Sequence, residues 1–165
     1  MKFYLIIIIV SFLFGCQSAT EKEIESKKIS LSGEFLFAGP NTLQSQEKMS
    51  LSPYANELGL ESEEKIAEVN PASITVKFAN TKEAANVESI LLQMVSEDLE
   101  MTSIGTLSPL PEGHNTVQLS VAPEMNLLPY LGDPSSIVIA DVNLKEDMDA
   151  LTIDVQMNLN FKYNP

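Results

Sequence analysis

Arginine and tryptophan are both missing from this chain, and histidine and cysteine occur once each. All ten basic residues are lysine, against twenty-three acids, for a net charge of -13. Without arginine the chain lacks the planar fork that best grips phosphates and carboxylates. Its negative charge repels nucleic acid and anionic lipid heads, so a nucleic-acid partner is excluded and any membrane attachment needs another device. A single cysteine rules out an internal disulfide, which leaves packing to stabilise the fold. One histidine leaves no His–His or His–Cys ligand set for zinc, the cysteine at the chain start apart. The Gly-rich phosphate loops and the Gly-x-Ser-x-Gly elbow are absent too, as is any internal repeat.

What is present begins with the leader. After Met1-Lys2, the twelve residues Phe3 to Phe14 are apolar except for Ser11, and the chain turns polar at Gln17. The run is short for a bilayer span, which needs about 20 residues, and fits the core of a secretory signal. Leu13-Phe14-Gly15-Cys16 resembles a bacterial lipobox. The resemblance implies a signal peptide at 1–15 and a mature chain starting at Cys16, lipid-modified on sulfur and usually acylated on its amine. Two or more buried acyl chains make a stable anchor. Removal of Lys2 with the leader takes the net charge from -13 to -14. Residues 16–29, with many charges and no aromatic residue, read as a flexible lipidated tether. Acidic residues close behind the cysteine are similar to the surface-export signals of Bacteroidota lipoproteins.

The remainder, 30–165, reads as one domain. Its clearest pattern lies at the C-terminus, where Leu151, Ile153, Val155, Met157, Leu159 and Phe161 alternate with polar residues. Alternate strand residues face opposite sides, so this is a long strand with one dry face. Ser30 to Ala38 reads as a strand with Leu31, Gly33, Phe35 and Phe37 on one side, closed by Gly39-Pro40-Asn41 and followed by a polar loop at 42–50. Further strands are expected at 72–78, 87–95, 99–107, 116–121 and 137–144, with helical turns near 52–58, 62–69 and 123–131. About seven short strands without βαβ alternation predict a mainly β fold, an antiparallel two-sheet sandwich of immunoglobulin-like or Greek-key type. The order of elements is similar to small uncharacterised Bacteroidota lipoproteins with a β-sandwich domain.

Candidate functional residues are few. His114, in Pro111-Glu112-Gly113-His114-Asn115, is the one available general base, and an exposed loop histidine without a role is the plainer reading. Asp141, Glu146, Asp147 and Asp149 surround one turn and are weak calcium candidates, without the spacing of an EF-hand. Glu57, Glu61, Glu63 and Glu64 are a possible carboxylate pair for glycoside hydrolysis, on short helices and away from any evident cleft. Tyr54, Tyr130 and Tyr163 are the aromatic platforms available to a sugar, and Leu127-Leu128-Pro129-Tyr130 reads better as a cap over the core. Methionines 94, 101, 125, 148 and 157 read as core filling.

The sequence thus predicts a lipid-anchored module of the outer membrane, on its periplasmic or surface face. No catalytic role, cofactor or metal is expected. Its partners are the membrane, through the lipid at Cys16, and a protein of the cell envelope. The alternatives are a structural subunit of a surface assembly, a hydrolase, or a carbohydrate-binding protein.

Overall fold

The computed structural model describes residues 19–165. The expected signal peptide at 1–15 and the expected lipid-attachment residue, Cys16, lie outside the described residues. Nine strands follow in chain order: β1 (Thr20–Glu25), β2 (Ile29–Leu36), β3 (Gly39–Ser45), β4 (Ile66–Phe78), β5 (Val87–Val95), β6 (Thr102–Leu107), β7 (Thr116–Val121), β8 (Ile137–Leu144) and β9 (Met148–Tyr163). Three short helices sit in the connections: α1 (Ser52–Leu58), α2 (Thr81–Asn86) and α3 (Leu128–Leu131).

The strands close into an eight-stranded antiparallel barrel, which corrects the expected sandwich, immunoglobulin-like or Greek-key. Around the barrel the order is β9-β2-β3-β8-β5-β6-β7-β4, and β4 returns to β9. Closure runs the whole length of β4, from Ile66 opposite Tyr163 to Phe78 opposite Ile153 on β9. On its other flank β9 pairs with β2 over Met148 to Val155 and with β1 over Asn158 to Tyr163, so β1 and β2 together act as one broken strand. Two packed sheets and a closed barrel both require one dry face per strand. Only the long-range β4–β9 pairing separates them, and it removes the open edges a sandwich would keep.

Alternation along β9 matches the expectation. Leu151 to Phe161 at odd positions are essentially fully buried and line the interior. With Phe78, Leu31, Leu43, Ile74, Ile90 and Leu92 they fill it, as in other eight-stranded barrels, whose bore is just wide enough for side chains. Gly105 on β6 marks a place where any side chain would crowd its neighbours. A Cβ there would stand 3.0 Å from Ile74 Cδ1 and 3.2 Å from Leu119 Cβ.

Several elements depart from the sequence reading. Residues 20–29, expected within the tether, form β1 and the start of β2, with Ile24, Ser26 and Ile29 buried. A single inward isoleucine among charged residues carries no periodic signal, yet β9 supplies the partner that holds it. Gly39–Ser45, expected as a stop and a loop, is β3, paired with both β2 and β8. Ser62 does cap a turn, at Glu63–Lys65, by accepting from Glu64 N. Ile66 and Val69 then belong to β4, not to a helix. Pro71, expected to halt a helix, sits inside β4 at a register shift opposite β9, where the missing N–H interrupts no regular ladder.

The two barrel ends differ. At the end that holds Thr20 and Tyr163, α1 and α3 fold inward. Tyr54 of α1 packs on Phe161, Leu127 donates its N–H to Val69 O at 2.7 Å, and Tyr130 hydroxyl donates to Glu100 O. Leu127, Tyr130 and Leu131 are buried, as the capping reading of that segment expects. At the other end lie the β2–β3 hairpin tip, α2, the β8–β9 turn and the β6–β7 loop with His114.

Candidate functional site

The sequence-predicted residues do not gather. His114 is exposed in the β6–β7 loop, and Glu57, Glu61, Glu63 and Glu64 all face solvent. Tyr54 and Tyr130 are spent on the capped end, and Tyr163 is buried there too. Glu146, Asp147 and Asp149 border one groove and Asp141 another, and the four do not converge. Asp141 Oδ1 accepts from Thr42 Oγ1 at 2.7 Å, and Asp147 Oδ1 accepts the Ala38 N–H at 2.8 Å. Glu146 is held by its backbone, with its N–H and carbonyl both bonded by the Asn86 side chain at 2.9 Å. Among the described residues no group of three or more His, Cys, Asp or Glu side chains is placed to hold a metal ion. A groove of about 570 Å³ runs between α2 and the β8–β9 turn, with lysine and acid walls intermixed.

The residues that stand out were assigned by the sequence to the dry face of β2. Phe35 is 85% exposed and Phe37 is 59% exposed, the two most exposed large apolar side chains among the described residues, followed by Met101 at 58%. The reason is local. Phe35 has φ of +54°, a conformation that bulky L-residues rarely adopt. The turn it makes breaks the strand alternation, so Leu36 enters the core and both rings swing out. Leu36 pairs with Met148, and the chain reverses through Phe37 and Ala38 into Gly39, at φ +106°.

This tip is held from outside itself. Asn41 Nδ2 donates to Phe37 O at 2.8 Å and to Gly39 O at 2.9 Å, and its Oδ1 accepts from Phe37 N at 3.2 Å. Asp147, on the β8–β9 turn, holds Ala38 N. The turn's backbone groups are therefore satisfied by side chains, and the two rings stand on a fixed base with a groove of about 510 Å³ beside them. Such an arrangement presents apolar area without an ordering cost at the moment of contact. A backbone conformation that costs of order 1–3 kcal/mol persists only where surrounding bonds enforce it, and such positions concentrate at functional sites. The readable signal was Phe35-Leu36-Phe37 itself, since three consecutive apolar residues cannot all face one side of a strand.

Two carboxylates elsewhere are depressed below the ordinary range. Asp133 is lowered mainly by the Ser96 hydroxyl, then by Ser135, and fastens the β5–β6 loop to the β7–β8 connection. Asp154 is lowered mainly by the Ser30 hydroxyl at 2.7 Å, with Lys28 at 3.1 Å contributing. Both are hydrogen-bonded stitches between chain segments.

The sequence matches no protein-family model and no curated protein.

Proposed function

We propose that this protein is a lipid-anchored, non-enzymatic binding module of the outer membrane, in which the barrel is a rigid stand for the β2–β3 tip. The observation that carries the reading is the exposure of Phe35 and Phe37 on a turn enforced by Asn41 and Asp147. Paired aromatic side chains held in water are an unusual expense for a small domain unless something covers them.

The proposed anchor supports the same reading. Only residues 17–19 separate Cys16 from Thr20, the first residue of β1. Four steps of chain reach at most about 14 Å, so a lipid on Cys16 keeps the α1–α3 end against the bilayer. Phe35 and Phe37 lie at the other end of β9, beside Met148. Sixteen strand residues rise roughly 50 Å, and barrel tilt brings that to about 35–40 Å along the axis. The tip therefore points away from the membrane that holds the chain, toward a protein of the envelope. A hydrolase built on His114 finds no support in that side chain's exposed position.

The test combines two measurements on the full chain in a Gram-negative host. Mass spectrometry of the N-terminal peptide is expected to show a lipid on Cys16, and Cys16→Ala to release the protein from the membrane fraction. A photo-reactive residue at position 37 is expected to cross-link an envelope protein, while the same residue at Ala122, at the anchored end, does not. An unmodified sulfur removes the anchor from the reading. Failure to cross-link at 37, or equal products from both positions, removes the tip.

A further inference from the structure

Four carboxylates surround the two rings: Glu34 precedes Phe35 on β2, Asp141 lies across β3, and Asp147 and Asp149 flank Met148, the partner of Leu36. Glu34, Asp147 and Asp149 are exposed. The groove beside the rings has Glu34 and Asp141 in its walls and, among the described residues, no lysine. Asp147 and Asp149 also border the neighbouring groove, where Lys82 and Lys145 stand; Lys145 there donates to Ala85 O at 2.7 Å on α2.

From this juxtaposition we infer that the partner presents a basic segment, with lysine or arginine side chains that lie over the Phe35 and Phe37 rings while their charges meet the acidic rim. The inference rests on the proposed function and gives its partner a chemistry. Ring faces attract cations, and arginine in particular stacks on them while keeping its N–H groups for carboxylates. The chain's net charge of -13 steers a basic partner from a distance and repels acidic ones. The same charge argues against a lipid surface as the occupant, because phenylalanines ringed by acids meet anionic headgroups unfavourably.

The experiment uses the full chain, purified in detergent and immobilised, with three probes: a peptide of alternating lysine, arginine and glycine, an acidic peptide of equal length, and anionic phospholipid vesicles. Calcium is varied separately. The basic peptide is expected to bind, with affinity falling at least tenfold between low and high salt. Phe35→Ser with Phe37→Ser is expected to lower affinity at least tenfold, and Glu34→Gln with Asp149→Asn several-fold. Glu61→Gln with Glu64→Gln, an equal change of charge at the anchored end, is expected to leave binding unchanged. Circular dichroism of each variant confirms a folded barrel, which surface positions allow.

Equal losses from the two charge pairs would reduce the effect to overall charge and overturn the inference. Binding of the acidic peptide, Phe-dependent binding of the vesicles, or binding that requires calcium overturns it as well. If position 37 cross-links a partner whose contacting segment is not basic, the inference falls and the proposed function stands. If position 37 cross-links nothing, both fall.

Discussion

Tyr54 and Phe161 meet with ring centroids 5.0 Å apart and planes inclined by 34°. One ring comes from α1 and the other from the last turns of β9, so the contact fastens the helical lid to the barrel wall. Phe161 is fully buried, and Phe161→Ala is expected to cost about 3–5 kcal/mol in urea unfolding. Paired with Tyr54→Ala in a double-mutant cycle, it should show a coupling of about 0.5–1.5 kcal/mol. A coupling near zero would mean the lid is held by its aliphatic contacts instead.

The same tyrosine gives the fold an alkaline limit. Burial, with Glu57 beside it, pushes the Tyr54 phenol up to about 12 from its usual 10.0. A raised folded value means that the folded chain keeps the proton after the unfolded chain has lost it. The contribution is whole below pH 10 and is lost as pH rises through about 12. A shift of that size corresponds to roughly 2–3 kcal/mol. Tyr54→Phe should flatten the stability profile between those pH values, measured as the difference from the parent chain.

At the acid side Asp154 works in the opposite sense. Its carboxyl is held below the usual 3.8, so its contribution is present above that value and disappears as pH falls through the folded one. The side chain is 32% exposed and its lysine partner 61% exposed, so solvent screens the pair. Asp154→Asn is expected to cost under about 1 kcal/mol at neutral pH and to cost nothing once the parent carboxylate is protonated. A loss that persists at low pH would assign the effect to packing.

Phe35→Gly separates the tip's two properties. Glycine adopts positive φ freely, and a bulky side chain there costs about 1–2 kcal/mol. The variant is expected to gain about 1 kcal/mol of stability while losing affinity for the basic peptide probe. A destabilised variant would show that the ring packs on the barrel in solution.

Gly105→Ala tests the closed interior. The new methyl meets Leu119 Cβ, which cannot swing aside as a side-chain tip can. A loss of about 1–3 kcal/mol is expected in chemical denaturation. A neutral result would mean that β6 and β7 lie farther apart than the barrel closure requires.

Much of the local structure was legible because it depends on near neighbours. The alternation of β9, the Ser62 cap, the αL glycine at Gly59 that ends α1, and the burial of Leu127 and Tyr130 all follow from residues a few positions apart. What failed was decided at a distance. Ile24 and Ile29 bury because β9 pairs with them from 130 or so positions away in the chain, and no window around residue 24 contains that fact. Gly39–Ser45 reads as loop because its residues are polar, and it becomes β3 because β8 and β2 offer hydrogen-bond partners on both sides. The candidate tip was misread through one backbone angle. A single residue at φ +54° reverses the in-and-out parity at the end of β2, turning Leu36 inward and Phe37 outward.

The sequence by itself determined that this is a β protein with a dry face on its C-terminal strand, an acidic surface and no disulfide, because periodicity, charge and cysteine count are written residue by residue. Only the tertiary structure decided between two open sheets and a closed ring, since that choice depends on whether β4 reaches β9 along its whole length. It also decided that Phe35 and Phe37 face water, because the bonds from Asn41 and Asp147 that hold the turn come together only after the hairpin and the β8–β9 turn have met.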